Sequence, residues 1–231
     1  MRTVIRHLLL TGFVSLLTIV SVFALDKEPV HDRRMDADYS MVGVRLGAYS
    51  DQGDGSTVET TDDVKADLPS TGFFSELFYA HRFTPAFMGE ISLGIGSRGE
   101  ATIQHGDDQY IGTINLYPLL LQAKFTPFSG HTRTFHPYIT GGGGFVFGRH
   151  NTEFIRSVDP FYDSYFAEKT EIDLIWTVGG GVDLAVNEQF GLNFSVKYYP
   201  IEFKDGLAGI KDYSGISFGV GFSYHLFKNS K

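Results

Sequence analysis

Apolar residues recur at every second position along most of the chain. In the C-terminal stretch, glycine, serine and histidine alternate with Ile216, Phe218, Val220, Phe222, Tyr224 and Leu226. This period of two predicts a β-strand with two unlike faces. A soluble strand normally presents long charged side chains to water, whereas the second face here is small and neutral. The pattern therefore favours a narrow barrel with lipid outside and a tight, polar interior.

Eight stretches of this kind predict eight strands. They are Tyr39–Ser50, Thr71–Phe83, Met88–Arg98, Tyr110–Phe125, Phe135–Gly148, Thr170–Val186, Phe190–Tyr199 and Tyr213–Phe227. In the fourth stretch, Ile114 and Leu116 are out of phase with the apolar positions that follow Pro118. This change of phase is interpreted as a β-bulge. We expect the apolar faces to meet lipid through residues that include Val44, Leu77, Leu93, Leu121, Trp176, Phe194 and Phe222.

The connections between the predicted strands are sorted by length. Three are short, at Thr84–Phe87, Thr126–Thr134 and Asn187–Gln189. The other four are long and polar, centred near residues 51–69, 99–109, 148–169 and 200–212. Outer-membrane barrels have this arrangement, with short periplasmic turns, long external loops and both termini in the periplasm.

Several sequence stretches resemble a known family. They are INLYPLLLQAKFTPF followed by FHPYITGGGGFVFG, then GGGVDLAV leading into the turn NEQF, and the aromatic C-terminal strand. Over about residues 39–227 the chain resembles the small outer-membrane barrels of the OmpA-transmembrane, OmpX and OmpW type. The resemblance implies an all-β fold, an eight-stranded antiparallel transmembrane β-barrel in a bacterial outer membrane. The last strand also resembles the signal read by the barrel-assembly machinery, an expected partner, although Lys228–Lys231 follow Phe227.

The N-terminus has the features of a secretory signal peptide. Arg2 and Arg6 precede an apolar run that extends from Leu8 to Phe23. The run is short of the roughly 20 residues that a spanning helix needs, which leaves a retained anchor as the weaker alternative. We expect a cleaved signal peptide at 1–24, a short periplasmic segment at 25–38, the barrel at 39–227 and a tail at 228–231.

The composition narrows the possible partners. The chain has 27 acidic and 19 basic residues, for a net charge of −8, and no cysteine. Nucleic acid is therefore not an expected partner, and neither disulfides nor thiolate metal sites are possible. The expected surroundings are outer-membrane lipid and lipopolysaccharide, and the ligand of the loops is left open.

The charged residues on the faces opposite lipid form a balanced set. Four are basic and four acidic: Arg45, Glu76, Arg82, Glu90, Lys124, Asp173, Asp183 and Lys197. Because eight strands leave a lumen about wide enough for side chains, and unpaired buried charge is costly, we expect a structural network of ion pairs. A charged pathway for ions is the alternative. Aromatic residues near strand ends, Tyr138 and Tyr199 among them, are expected in interfacial girdles.

The sequence suggests no catalytic, cofactor or metal site. The acidic first loop could bind calcium, but its spacing is not that of an EF-hand, and we favour a solvated loop. The chain lacks the His-x-Ser pair that lipid A deacylases carry. A candidate contact surface, or a lid, lies in the third loop at Arg149, Phe154, Arg156, Phe161, Tyr162, Tyr165 and Phe166. We expect a non-catalytic barrel with a structural, adhesion or surface-binding role. The alternatives are a narrow channel for ions or small apolar solutes and, less favoured, a lipid A-modifying enzyme.

Overall fold

The computed structural model describes most of the predicted barrel. The described residues are 39–53, 57–59, 64–67, 69–105, 108–127, 134–156, 166–187, 189–207 and 210–227. The predicted signal peptide, the periplasmic segment and the C-terminal tail lie outside them. No helix of the described residues is long and apolar enough to cross a membrane.

Eight long antiparallel strands close into a barrel, as the sequence predicts. They are β1 Tyr39–Asp51, β4 Thr71–Arg82, β5 Phe87–His105, β6 Asp108–Phe125, β7 Phe135–Arg156, β8 Phe166–Ala185, β9 Phe190–Tyr199 and β12 Gly215–Phe227. Each pairs with the next in this order. The barrel is closed by β1 and β12, which pair from Tyr39 opposite Phe227 to Asp51 opposite Gly215.

Two small hairpins occupy long connections. The first consists of β2 Thr57–Glu59 and β3 Val64–Asp67, and β3 adds to the outer part of β5. The second consists of β10 Glu202–Leu207 and β11 Ile210–Asp212, which form a separate two-stranded sheet. Neither was predicted, because short strands in polar loops have too few residues to establish a period.

The lipid-facing surface agrees with the alternation. The side chains predicted to meet lipid are exposed at Val44, Leu77, Leu93, Leu121, Trp176 and Phe222, and half-buried at Phe194. Leu121 leaves 68% of its surface exposed. Such a band of large exposed apolar groups is typical of a barrel surface that meets lipid.

The predicted bulge in the fourth strand is wrong. Ile114 and Leu116 are buried inside the barrel, and β6 pairs with β7 from Tyr110 to Phe125 without a change of register. Every second side chain of β6 points into the barrel without interruption. These inward side chains are polar near the middle of the barrel, at Gln122, and apolar nearer the outside. The interior is apolar in its outer half, so an apolar side chain does not identify the lipid face there.

The short turns lie where the sequence places them, whereas the barrel strands extend into the second and third of the long loops. Asn187 fixes one turn, because its side-chain oxygen accepts hydrogen bonds from the backbone N–H groups of Gln189 and Phe190 at 2.9 and 2.8 Å. The second loop is reduced to the turn between β5 and β6, and β7 and β8 extend far into the third. Outside the membrane both faces of a strand meet water, so the period of two disappears although the pairing continues.

Candidate functional site

Six of the eight predicted lumen charges meet in one network at the middle of the barrel. Its first half is centred on Arg45, which lies opposite Glu76 in the β1–β4 pairing. The guanidinium Nη1 donates to Glu76 Oε2 at 2.7 Å. Nη1 and Nη2 also bind Glu90 in a bidentate pair at 2.8 and 2.7 Å. This geometry is the strong form of a charge-assisted hydrogen bond.

Lys197 completes this half of the network from the other side of the lumen. Its Nζ donates to Glu76 Oε1 at 2.9 Å and lies 3.4 Å from Glu90 Oε1. The side chains of Arg45, Glu76, Glu90 and Lys197 are all 1 or 2% exposed. Two carboxylates are thus held between two cations, away from water.

The second half of the network consists of Lys124, Asp183 and Asn193. Lys124 forms an ion pair with Asp183. The amide of Asn193 donates to Asp183 Oδ1 at 2.5 Å, and its oxygen accepts from Arg45 Nε at 2.6 Å. Asn193 therefore joins the two halves. We call Arg45, Glu76, Glu90, Lys124, Asp183, Asn193 and Lys197 the charged belt; its three cations and three carboxylates balance.

Two predicted members lie apart from the charged belt. Arg82 is buried nearer the periplasmic end, where it lines a cavity of about 20 Å³ with His136 and His225. Asp173 is half-buried on the inward face of β8, nearer the outside, and forms no ion pair with any described residue. The alternation gave the correct face for both side chains, but not their height along the barrel.

Two interior residues of this region were not among the predicted lumen residues: Asn193, which belongs to the charged belt, and Tyr138, which contacts it. Asn193 is in phase with Lys197 on β9, so the alternation already placed it inside. Tyr138 was expected in an aromatic girdle, and that expectation is wrong. Its ring lies 3.7 Å beneath Lys124 Nζ, and its hydroxyl accepts from Asn193 at 3.0 Å. Tyr138 stands two positions before the inward-facing Thr140 on β7, so the alternation could have indicated that Tyr138 also points inward. Tyr199, expected in the same girdle, is also buried inside.

The outer half of the lumen is filled by an apolar cluster. The barrel wall supplies Tyr49, Phe74, Ile114, Leu116, Leu120, Val146, Ile175 and Tyr199. The β10–β11 hairpin and its flanking residues supply Ile201, Phe203, Leu207, Ile210 and Tyr213. The fourth connection is thus folded into the barrel mouth instead of projecting from it.

A few polar contacts hold the hairpin in place. The Tyr49 hydroxyl donates to the Tyr213 carbonyl at 2.6 Å. Lys169, on β8, donates to the Gly206 carbonyl at 2.8 Å. Arg98 forms an ion pair with Asp51 at 2.9 Å, and its guanidinium lies 5.7 Å from the Tyr213 ring centroid. The rim of the barrel therefore contacts the hairpin on several sides.

The candidate contact surface is only partly described. Arg149 is exposed on β7 and donates to Asn151 Oδ1 at 3.2 Å. Phe154 and Arg156 lie near the end of β7, and Phe166 begins β8. The other three members, Phe161, Tyr162 and Tyr165, lie outside the described residues. Within those residues, no group of three or more histidine, aspartate or glutamate side chains could hold a metal ion.

Comparisons with known proteins agree with this architecture. Residues 13–225 match the model of the outer membrane protein beta-barrel domain. One similar structure is that of Ail, the attachment invasion locus protein of Yersinia pestis, in complex with the heparin analogue sucrose octasulfate. Its TM-score is 0.52 and its sequence identity is 14%. The match covers 82% of this chain and 99% of that chain. OprG from Pseudomonas aeruginosa is similar with a TM-score of 0.49 and 16% sequence identity. The match covers 83% of this chain and 97% of that chain.

At such identities the likeness to Ail concerns the fold alone. No curated protein sequence matches the chain. The match to the family model spans nearly all of the barrel. The chain belongs to the outer membrane protein beta-barrel domain family and is a β-barrel of the bacterial outer membrane.

Proposed function

We propose that this protein is a closed, non-catalytic outer-membrane barrel that acts through contacts at its external face, in a structural, adhesion or surface-binding role. The observation that carries the proposal is the filled interior. Side chains from β1, β4, β5, β6, β8 and β9 meet in the charged belt across the lumen. An ion crossing this layer would have to separate buried charges that are already paired, which is costly.

The layers on either side of the charged belt support the same conclusion. Above it, the apolar cluster offers no hydration to an ion. Below it, the cavity of about 20 Å³ has room for about one water molecule. A barrel filled in this way has the character of a scaffold, as expected for eight strands.

The surface available for contacts lies at the outer end. The four strands β5 to β8 extend beyond the lipid-facing band, and exposed Arg149 lies on this extension. We propose lipopolysaccharide and outer-membrane lipid as the surroundings of this surface, and the barrel-assembly machinery as a partner during insertion. Of the contact residues proposed from the third loop, Phe154, Arg156 and Phe166 lie on these strand extensions.

Single-channel recording in planar lipid bilayers tests the closed lumen. We expect no stable openings from the purified protein, with a large porin in the same bilayers as the positive control. Steady, ion-selective openings whose selectivity changes in Lys124→Gln would contradict the proposal. They would favour the rival function, a narrow channel.

Mass spectrometry of lipid A tests the non-catalytic part of the proposal. We expect identical acylation patterns in cells that produce the protein and in cells that lack it. An acyl chain lost or gained only in the producing cells would show that the protein modifies lipid A.

A further inference from the structure

The outer half of the barrel lumen is filled by a hairpin that belongs to a separate sheet. We call this space the outer chamber; its walls are Tyr49, Phe74, Ile114, Leu116, Leu120, Val146, Ile175 and Tyr199. The lower half of the lumen is filled by side chains of the barrel strands. The outer chamber is filled instead by the β10–β11 hairpin, which enters from the external end.

The wall of the chamber is shaped to receive the hairpin. A Cβ atom added at Gly148, on the inward face of β7, would lie 2.5 Å from Leu207 Cδ1 and 2.6 Å from Phe203 Cζ. Any larger residue at this position would require the hairpin side chains to shift. Gly148 therefore provides the space that the hairpin occupies.

The hairpin is attached to the wall by side chains and not by a strand ladder. Its two strands pair only with each other, in a sheet separate from that of the barrel. The polar attachments include the bonds from Tyr49 and Lys169 to its carbonyl groups. Withdrawal of the hairpin would leave every barrel ladder intact, because no ladder bond joins the two sheets.

A buried tyrosine at the chamber wall has an unused hydrogen-bonding group. Tyr199 is 1% exposed, and its hydroxyl has no partner at hydrogen-bond geometry among the described residues, although the Ser217 side chain lies nearby. Its ring lies 6.2 Å from that of Tyr49 and 5.9 Å from that of Phe74. An apolar wall that contains one unsatisfied hydroxyl suits a ligand with an apolar body and one polar group, since a buried polar group without a partner is costly.

We propose that the outer chamber is a blind binding site for a small amphiphile, an aliphatic or aromatic body that carries one hydroxyl or carbonyl group. The ligand enters from outside as the hairpin withdraws. Its polar group bonds to Tyr199 and to the Tyr49 hydroxyl, which the withdrawal releases from Tyr213. This inference rests on the proposed function in one respect, because the charged belt must close the floor of the chamber.

Disulfide trapping tests whether hairpin and ligand compete for the chamber. The chain has no cysteine, so Gly148→Cys with Leu207→Cys creates one thiol pair between wall and hairpin. The control pair, Ser97→Cys with Asn115→Cys, joins directly paired residues of β5 and β6. Both proteins are placed in lipid nanodiscs, and the rate of disulfide formation is measured with 1-decanol, with decane and without either.

Competition predicts a slower reaction of the hairpin pair only. At ten times the Kd of 1-decanol, the rate should fall about tenfold, because the fraction of empty chamber falls by that factor. Decane should have a smaller effect, and Tyr199→Phe should weaken the effect of 1-decanol. An unchanged rate, or equal slowing of both pairs, would overturn the inference.

A distance measurement covers the case in which the Gly148→Cys substitution itself displaces the hairpin. Spin labels at Arg149→Cys and Lys211→Cys, both exposed in the native protein, report the separation of wall and hairpin. We expect one short distance without ligand and a second, longer distance with 1-decanol. A single distance that 1-decanol does not change would also overturn the inference. Conductance separates the two proposals: open channels contradict the closed lumen, whereas a silent barrel without competition contradicts only the binding site.

Discussion

Arg45 links more of the charged belt than any other described side chain. It binds through all three guanidinium nitrogens, to Asn193, Glu76 and Glu90. Its guanidinium also lies 3.8 Å from the Phe78 ring centroid. The planar, permanently charged group suits this position, because it can satisfy two carboxylates and an amide at once.

Loss of one carboxylate should therefore be severe. Glu90→Gln leaves Arg45 and Lys197 facing a single carboxylate in a site without water. We expect the free energy of unfolding to fall by about 3–5 kcal/mol, as for other buried pairs that lose one partner. Urea titration in lipid vesicles, followed by the gel mobility of unheated samples, measures the change.

The matched control is Glu171→Gln. Glu171 pairs at 3.3 Å with Lys169, whose side chain is 44% exposed, so its loss should cost at most about 1 kcal/mol. Equal effects of the two substitutions would mean that the charged belt is hydrated, against the closed lumen.

The inward orientation of a residue could be predicted where the alternation along its strand was regular. Arg45, Glu76, Glu90, Lys124, Asp183 and Lys197 were assigned to the interior from alternation alone. Asp173 was assigned to the network as well, but it lies at a level of the barrel where the interior is apolar, opposite Val146 in the β7–β8 pairing. Alternation predicts whether a side chain points to the lumen or to lipid. It does not predict which residues of different strands lie at the same height along the barrel axis.

At the scale of elements, the glycine run of β7 brings two strands into close contact. A Cβ atom added at Gly142 would lie 2.1 Å from the Leu121 carbonyl oxygen of β6. At the neighbouring Gly141, the nearest atom that a Cβ would meet is the Thr177 carbonyl oxygen at 3.6 Å, an ordinary contact. Gly142 therefore requires glycine, whereas Gly141 tolerates a methyl group.

This difference gives a matched pair of substitutions. We expect Gly142→Ala to destabilise the barrel by about 1–3 kcal/mol, because the backbone of β6 would have to shift. Gly141→Ala should be neutral or slightly stabilising, since alanine restricts the unfolded chain. The same urea titration compares them, and a Gly142→Ala barrel as stable as Gly141→Ala would contradict the close packing of β6 and β7.

The elements were predictable inside the membrane and less so outside it. All eight barrel strands were found, because lipid on one face and a filled lumen on the other impose a strict period. The alternation does not predict the extensions of β5 to β8, since water on both faces removes the period. The inward-facing Ile114 and Leu116 led to the wrong prediction of a bulge, because the outer chamber and lipid select the same apolar side chains.

At the scale of the whole molecule, the interior is layered along the barrel axis. A small polar cavity at the periplasmic end is followed by the charged belt and then by the outer chamber with its hairpin. The layers differ in how firmly they are held. The charged belt consists of strand residues held in place by ladders on both sides, whereas the hairpin can leave without breaking a ladder.

We propose that the charged belt alone closes the lumen. The conductance of a hairpin-less variant tests this proposal. In this variant a short glycine–serine linker replaces residues 202–212, and gel mobility checks that the barrel forms. We expect this variant, although its outer chamber is open, to stay electrically silent in planar bilayers, as we expect of the intact protein. Steady ion currents through the hairpin-less barrel would contradict it, because they would mean that the hairpin, and not the charged belt, is the seal.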